Sequence, residues 1–265
     1  MWYNIIMNTK IPHIVAFGGG VDSTAMIIGL IERKEPIDLI LFADTGGEKP
    51  HTYEHIKNFS NWLKDRGYPE ITIVEKVRRD GSRETLEQEC ARRNCLPSIA
   101  YGFKSCSQKH KIQPQDKFLN HWQPTLDCWK SGNKAVKYVG YDADESHRAE
   151  NADKRNDPKY TNRYPLIEWD ITREECLDMI KAAGLEPPKK SACFFCPSSK
   201  KHEIVELYQQ YPDLLDRALK MEDNAELTTI KGLGRNFSWK TIIELHKDQK
   251  ELPFTGFDLP CECTD

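Results

Sequence analysis

The fold of this chain is decided by the stretch Ile14-Val15-Ala16-Phe17-Gly18-Gly19-Gly20-Val21-Asp22-Ser23-Thr24. Its four leading apolar residues predict a buried strand, the three glycines a turn, and Asp22-Ser23 the cap of a following helix. Glycine lets a backbone adopt positive φ and approach a ligand closely. The free N–H groups at a helix start, reinforced by the helix dipole, bind phosphate. The stretch therefore predicts a site for a phosphorylated small molecule near Gly20.

Three kinds of glycine-rich loop compete for this stretch. A Walker A loop needs Lys-Ser or Lys-Thr after its last glycine, and Val21-Asp22 stands there instead. A dinucleotide loop fits the Gly18-x-Gly20 spacing and the acid Asp44 at the end of the next apolar run. However, Ser23 replaces the third glycine and Asp22 brings a negative charge toward a pyrophosphate. A tight turn without a ligand is disfavoured, because three adjacent glycines lose much conformational freedom on folding.

The third kind of loop is suggested by a resemblance to a known family. The stretch Gly19-Gly20-Val21-Asp22-Ser23 resembles the pyrophosphate loop (PP-loop) of the ATP pyrophosphatases, whose pattern is Ser-Gly-Gly-x-Asp-Ser, with Gly18 in place of the first serine. A second element, Asp44-Thr45-Gly46 with Pro50 and Thr52, is similar to the Asp-Thr-Gly…Pro-Glu-Thr stretch of the phosphoadenylyl-sulfate (PAPS) reductase branch of that superfamily. His51 stands where that branch has glutamate.

The resemblance implies a Rossmann-like α/β fold of the adenine nucleotide alpha hydrolase type, a parallel sheet flanked by helices. It implies ATP as cofactor, with Asp22 or Asp44 holding Mg²⁺. It also implies a set of ATP-binding residues, namely Phe17, Gly18, Gly19, Gly20, Asp22, Ser23, Thr24, Asp44, Thr45 and Gly46. Within this set, Asp22, Ser23 and Asp44 are the candidate catalytic residues.

Length and composition set the broad class. The 265 residues suit one α/β nucleotide-binding part, predicted over residues 1–170, and a smaller helical part over residues 171–265. The net charge of -3 gives no strong basic signature of nucleic-acid binding, although local basic patches remain candidates. No apolar run is long enough for a membrane helix, and the first residues lack a signal-peptide pattern, so we expect a cytoplasmic protein without membrane contact.

The apolar pattern predicts alternating strands and helices in the first half and helices in the second. Strands are predicted at residues 14–17, 37–44, 71–74 and 135–140. Helices are predicted at residues 25–33, 52–66, 84–93, 171–183, 200–211 and 212–224. Thr172 is the expected cap of the fourth of these helices and Gly184 its stop. Such alternation implies parallel βαβ units.

Nine cysteines are many for a chain expected in a reducing compartment, and they indicate metal or redox chemistry. Cys193 and Cys196 form a CxxC on a turn, the spacing at which two thiolates hold one metal. By itself the CxxC is ambiguous between zinc, an iron–sulfur cluster and a redox pair, and the Pro187-Pro188 segment before it offers no strand for a thioredoxin-like pair. Four cysteines are expected to be structural, namely Cys90, Cys95, Cys128 and Cys176.

The segment from Cys106 to Pro114 resembles Cys-Cys-x-x-Arg-Lys-x-x-Pro of sulfonucleotide reductases that carry a [4Fe–4S] cluster. Ser107 replaces the second cysteine and His110 the arginine. The resemblance implies a [4Fe–4S] cluster, with zinc as the alternative, held by Cys106, Cys193, Cys196 and, as the expected fourth ligand, Cys263. Cys261, Cys128 or an open iron are the other choices for that fourth position.

The loop after the fourth predicted strand, residues 140–148, resembles the family pattern Gly-Ile-Arg-x-x-Glu-Ser-x-Arg, with Asp142 where an arginine often stands. Arg148 is a candidate phosphate clamp and catalytic residue, because a guanidinium matches phosphate oxygens. A solvated acidic loop is the alternative. Residues 164–169 and 232–239 also look family-like, but their chemistry assigns them no role.

Taken together, the resemblance implies an ATP pyrophosphatase that adenylylates a substrate oxygen for replacement by sulfur, as in DNA phosphorothioation systems. A cysteine desulfurase and other sulfur-transfer subunits are the implied partners, with nucleic acid a possible substrate. A thiol-dependent PAPS or APS reductase is the first alternative, although the tail keeps only Glu262-Cys263 of the reductase pattern. A zinc-stabilised nucleotide-binding module without catalysis is the second.

Overall fold

A computed structural model describes residues 10–103, 105–153 and 157–251 of the chain. Its framework is one sheet of five parallel strands in the order β3-β2-β1-β4-β5. The strands are β1 (His13–Phe17), β2 (Leu39–Asp44), β3 (Ile71–Glu75), β4 (Ala135–Val139) and β5 (Tyr160–Arg163). The predicted α/β class with a parallel sheet flanked by helices is confirmed.

Twelve α-helices lie in the described residues, together with two 3₁₀ turns (Ser98–Tyr101 and Ala143–Glu145) and one π-helical stretch (Gln108–Ile112). The helices are α1 (Val21–Glu32), α2 (Pro50–Lys64), α3 (Leu86–Arg92), α4 (Ser105–Ser107), α5 (Gln113–Leu119), α6 (Gln123–Lys130), α7 (Ser146–Asp153), α8 (Pro165–Glu168), α9 (Arg173–Ala182), α10 (Lys201–Gln210), α11 (Pro212–Asn224) and α12 (Trp239–Glu251). In this part of the chain no helix is both long and apolar enough to cross a membrane.

Helices cover both faces of the sheet, which explains why β1 and β2 are continuous apolar runs. On one face, Val15 and Phe17 pack with α1, α2 and α9. On the other, Ile14 and Leu41 pack with α5 and α6 around the buried Cys128. The helix α9, which the predicted boundary assigns to the C-terminal part, contributes Cys176 to the first of these cores.

A third core lies beyond the sheet. Phe194 and Phe195 of the CxxC turn pack there against α3 and against α10, α11 and α12. The two rings stand edge to face, with centroids 4.7 Å apart. The CxxC turn is therefore the centre of the C-terminal helical packing as well as a candidate ligand site.

Strand β5 was missed by the sequence prediction, and the reason is its composition. Tyr-Thr-Asn-Arg contains no apolar alternation, and the strand lies at the sheet edge, where it pairs with β4 alone. By contrast, α11 has the predicted bounds, and α9 begins with the predicted Thr172 cap. Gly184 follows α9 at φ +77°, a conformation that L side chains rarely adopt.

The strand order reverses beside β1. The chain proceeds from β1 to β2 and β3 on one side and then returns to place β4 on the other side. In open α/β sheets the crevice at such a switch point, outside the carboxyl ends of the strands, is where ligands bind. Here that crevice is bordered by the glycine loop after β1 and by Gly140 after β4.

Candidate nucleotide site and thiol sites

The glycine loop lies in the switch-point crevice, in a cavity of about 600 Å³. Of the predicted site residues, the cavity is lined by Gly18, Gly20, Asp22, Ser23 and Arg148. Gly140 and Tyr141 of the family-like loop 140–148 line it too. Sequence reasoning missed the other lining residues Arg173, Lys190 and Ser191. Arg173 opens an ordinary capped helix, and Lys190-Ser191 lies in a proline-flanked loop, so neither carries a local signal of ligand binding.

The loop backbone is held by its own side chains. Ser23 Oγ accepts a hydrogen bond from the N–H of Gly18 (3.2 Å) and donates one to the carbonyl of Gly20 (3.2 Å). Gly19 has φ +72°, where an L side chain would be strained. In the described structure the main-chain N–H groups of Val21 and Ser23 have no protein acceptor, as is usual for the first turn of a helix. They remain available to a phosphate.

Glycine is also required on the far side of the crevice. A Cβ atom on Gly140 would lie 2.9 Å from Ser23 Cα and 3.0 Å from Ser23 N. These neighbours are backbone atoms, which cannot move aside as a flexible side chain would. Gly140 therefore lets β4 and the start of α1 approach closely enough to form the floor of the cavity.

Asp22 is held by Arg173, whose Nη1 lies 2.8 Å from both carboxylate oxygens. Burial raises the pKa of Asp22, Arg173 opposes that rise, and the nearby carboxylates of Asp142 and Glu145 add to it. Asp142 is itself buried, and its Oδ1 has no hydrogen-bond partner in the described structure. Burial, followed by Glu145, raises the pKa of Asp142.

Arg148 is also paired. Its Nη1 lies 2.5 Å from Glu145 Oε1, and its guanidinium stacks 4.2 Å from the ring centroid of Tyr141. Tyr141 in turn stacks on Tyr164 at 5.7 Å. The predicted phosphate clamp is thus placed at the cavity with its guanidinium oriented by an aromatic platform.

Three predicted ligand residues of the loop, Phe17, Gly19 and Thr24, do not line the cavity, and two of them have other contacts. Phe17 is buried among Phe42 and Phe59 in the core. The Thr24 hydroxyl donates to the carbonyl of Gly20 (2.8 Å) and contacts His55 Nε2 (3.0 Å). Burial lowers the pKa of His55 to about 4. Phe17 and Thr24 therefore pack behind the glycine loop and do not face the cavity.

The predicted residues Asp44, Thr45 and Gly46 line a separate cavity of about 180 Å³ beside the start of α3. Asp44 Oδ1 accepts hydrogen bonds from Gly46 N–H (2.7 Å) and from the Tyr53 hydroxyl (2.9 Å). Thr45 accepts the N–H of Leu86 through its carbonyl at 2.9 Å. The second predicted motif therefore follows β2 and contacts the start of α3. It lies next to the switch-point crevice and not inside it.

The CxxC turn docks directly on this second motif. Phe194 N–H donates to the Gly47 carbonyl (2.8 Å), and the Cys193 Sγ lies 3.0 Å from Thr45 Oγ1. A Cβ on Gly47 would lie 2.7 Å from the Phe195 ring, so only glycine allows this contact. Burial raises the pKa of the Cys193 thiol to about 12.

A π-helical stretch turns two consecutive residues inward. His110 Nε2 lies 2.7 Å from Glu89, and Lys111 Nζ lies 3.5 Å from Glu48, whose side chain is fully buried. Burial raises the pKa of Glu48, with Lys111 opposing the rise. Extra residues in a helical turn commonly mark functional positions. The sequence prediction had no helix here, because the apolar pattern is interrupted.

The predicted metal ligands do not form a ready site. Cys106 lines a different cavity, together with Cys90 and Cys95, and its thiol is an electrostatic neighbour of Cys196. Cys263 and Cys261 lie outside the described residues. Among the residues that are described, no group of three or more His, Cys, Asp or Glu side chains is arranged to hold a metal ion. Within the described residues, Cys106, Cys193 and Cys196 are therefore not arranged to hold a [4Fe–4S] cluster or a zinc ion.

Residues 232–239, to which the sequence assigned no role, are organised by one buried carboxylate. Glu222 Oε2 accepts the N–H groups of Leu233 (2.6 Å) and Trp239 (3.0 Å), and its Oε1 accepts that of Lys240 (3.3 Å). Glu222 thereby supplies acceptors to the first turn of α12. This contact gives the segment a structural role.

No protein-family model matches this sequence, and a search of curated proteins finds no match. Among solved structures, the chain is similar to the U34-tRNA thiolase NcsA from Methanococcus maripaludis with its [4Fe-4S] cluster. The sequence identity is 16% and the TM-score 0.43, over 94% of this chain and 84% of that one. A similarity at this level assigns no family and no activity.

Proposed function

We propose that this chain is an ATP pyrophosphatase that activates a substrate oxygen by adenylylation. The observation that carries the proposal is the switch-point cavity, where the open N–H groups of the glycine loop meet three cationic side chains, Arg148, Arg173 and Lys190. Helix N-termini and guanidinium groups are the protein groups that bind phosphate oxygens best. In the described structure these cations pair with Glu145, Asp22 and Glu203, and a triphosphate carries enough charge to compete with those carboxylates.

In the proposed reaction an oxygen of the substrate attacks the α-phosphorus of ATP. The bond from that phosphorus to the bridging oxygen breaks, pyrophosphate leaves, and AMP stays on the substrate oxygen. Loop amides near Gly20 would stabilise the charge that grows on the leaving pyrophosphate, since preorganised donors act there without reorganisation.

Arg173 supports a specific role for Asp22. In the described structure Arg173 Nη1 donates to both carboxylate oxygens of Asp22 at 2.8 Å. Mg²⁺ takes one or two carboxylates and completes its coordination with phosphate oxygens and water, so a site completed by the nucleotide does not need three protein ligands. Asp22 fits that requirement and would hold the ion, whose charge would neutralise the phosphates. Arg173 would then be released to contact the phosphate oxygens.

We further propose that sulfur replaces the activated oxygen on a nucleic-acid phosphate, in a DNA phosphorothioation setting with a cysteine desulfurase as donor. The donor's persulfide sulfur attacks the phosphorus, the activated oxygen leaves with AMP, and an external thiol supplies the two electrons that cleave the remaining S–S bond. The support for this finer step is the sequence resemblance and one contact. Cys193 Sγ contacts Thr45 Oγ1, so a thiol lies directly beside the second predicted nucleotide motif, Asp44-Thr45-Gly46.

Product analysis with the full chain separates the three functions. Incubation with Mg²⁺ and ATP labelled at the α-phosphate should give AMP and pyrophosphate, with water taking the place of the substrate oxygen, and Ser23→Ala should abolish most of this turnover. Ser131→Ala, whose hydroxyl donates to Cys128 away from the crevice, is the matched control. Sulfite released from a sulfonucleotide by thiol would instead identify a reductase, and the absence of both activities would favour a binding module.

A further inference from the structure

A second thiol site lies outside the proposed nucleotide site. A cavity of about 220 Å³ is lined by three cysteines, Cys90, Cys95 and Cys106, all of them free thiols. Neither Cys90 nor Cys95 belongs to a sequence motif, and both were expected to be structural. Each of these three thiols is a potential nucleophile, and the proposed adenylylation uses none of them.

The backbone brings Cys90 and Cys95 together at the end of α3. Asn94 adopts φ +46°, a left-handed conformation that reverses the chain. The N–H of Cys95 then donates to the carbonyl of Cys90 at 3.1 Å. This six-residue bond is typical of a Schellman helix end, where the two bonded residues also make a side-chain contact. In this chain both members of that contact are cysteines.

The two thiols differ in access. Cys90 is 3% exposed, whereas Cys95 is partly exposed at the cavity mouth. Burial raises the pKa of Cys90, and the neighbouring Cys95 raises it further. An accessible thiol beside a hidden one is the arrangement in which the first reacts with an oxidant and the second resolves the product.

We propose that Cys95 and Cys90 form a modification site for hydroperoxides, closing into a reversible disulfide. In the first step the Cys95 thiolate attacks one peroxide oxygen, the O–O bond breaks, and Cys95 sulfenic acid and an alcohol (or water) form. In the second step the Cys90 thiol attacks the Cys95 sulfur and water leaves. Two thiols are oxidised by two electrons, one peroxide is reduced, and an external thiol restores the starting state.

Backbone geometry favours this pair over pairs that include Cys106. A disulfide needs Cα atoms roughly 4.4–6.8 Å apart, and residues that already share a main-chain hydrogen bond are suitably close. Cys106 instead has its N–H bonded to Ser98 Oγ at 2.8 Å and lies on a separate helical turn. It lines the same cavity but is not held to Cys95 by the backbone.

Mass spectrometry can test the pair directly, because trypsin separates the three cysteines onto residues 84–92, 94–104 and 105–109. The full chain is treated with hydrogen peroxide, the remaining thiols are alkylated, and the digest is compared with and without reductant. We expect a linked peptide of residues 84–92 and 94–104, with matching loss of the two alkylated peptides. Reductant should reverse both changes, and Cys106→Ser should leave the linkage in place.

Two further variants keep the proposal falsifiable. In Cys90→Ser, we expect no linkage and a dimedone-trapped sulfenic acid on Cys95; in Cys95→Ser, we expect neither product. A parallel reaction in urea should give mixed linkages among the three peptides, which separates pairing in the folded chain from pairing after unfolding. The proposal is overturned if the folded chain links Cys95 to Cys106, or if peroxide leaves Cys95 fully alkylatable.

Discussion

Ser23 is the residue on which the phosphate loop depends most directly. Its hydroxyl accepts from Gly18 N–H and donates to the Gly20 carbonyl, so one side chain fixes both ends of the turn. Ser23→Ala should lower kcat/KM for ATP by about tenfold or more, the usual effect of losing a hydrogen bond that positions charged ligand groups. Steady-state kinetics with Ser131→Ala as control checks this. Equal values for the two variants would contradict the loop assignment.

Arg173 was not identified as a site residue from the sequence, and its role in ATP binding can be tested separately. Arg173→Ala leaves the partly buried Asp22 carboxylate without its bidentate partner and removes a cation from the cavity. We expect ATP affinity to fall by about tenfold, because charge-assisted pairs contribute roughly 1.5–3 kcal/mol. Lys181→Ala, which removes an exposed cation from the same helix, is the matched control. Unchanged ATP affinity in Arg173→Ala would rule out its role in binding.

At the scale of elements, Gly140 determines how closely β4 approaches α1. Gly140→Ala would place a methyl group 2.9 Å from Ser23 Cα, so the strand end and the helix start must separate. We expect loss of ATP binding with the sheet itself retained, measured by titration calorimetry and far-ultraviolet circular dichroism. Full ATP affinity in this variant would show that the close approach does not shape the site.

The start of α12 depends on Glu222, which accepts hydrogen bonds from its first backbone N–H groups. Glu222→Ala removes the acceptor for three backbone N–H groups in a buried position, and it should lower the free energy of unfolding by about 2 kcal/mol or more. Its neighbour Asp223 is exposed and pairs with the exposed Lys240 at 3.5 Å, so Asp223→Ala should change stability by less than about 0.5 kcal/mol. Urea unfolding of both variants tests the contrast.

Elements with a periodic apolar pattern or a cap signal could be predicted, and those formed by tertiary contacts could not. The strand β1 and the helix α11 follow from their residues alone. The strand β5 exists because β4 offers it an edge, and the inward turn of His110 and Lys111 exists because Glu89 and Glu48 are there to pair with them. Likewise, Gly20 and Arg148 could be predicted at one crevice, whereas Arg173 reaches it from a helix whose position depends on packing against α1.

At the scale of the whole molecule, a buried ion network links Lys76, which directly follows β3, with Glu89 of α3 and His110 of the π-helical stretch. Burial alone would raise the pKa of Glu89, but hydrogen bonds from Lys76 and His110 outweigh it and lower that pKa to about 2. A carboxyl whose pKa is lower in the folded state than its ordinary 4.5 contributes stability above pH 4.5, and that contribution is lost as the pH falls toward 2.

Stability should therefore decrease between pH 4.5 and pH 2, and Glu89→Gln should show a shallower decrease over that window. Urea midpoints measured across the window check both statements. Parallel pH profiles for wild type and Glu89→Gln would mean that this network does not link folding to protonation.

The proposed function requires a triphosphate to bind at the switch-point crevice. Titration calorimetry of the full chain with ATP and with AMP, both in the presence of Mg²⁺, tests this most directly. Because the loop amides, Arg148 and Arg173 engage phosphates that AMP lacks, ATP should bind at least about tenfold more tightly, a difference of about 1.4 kcal/mol. Equal affinities for the two nucleotides, or no binding of ATP, would contradict the binding of a triphosphate at this crevice.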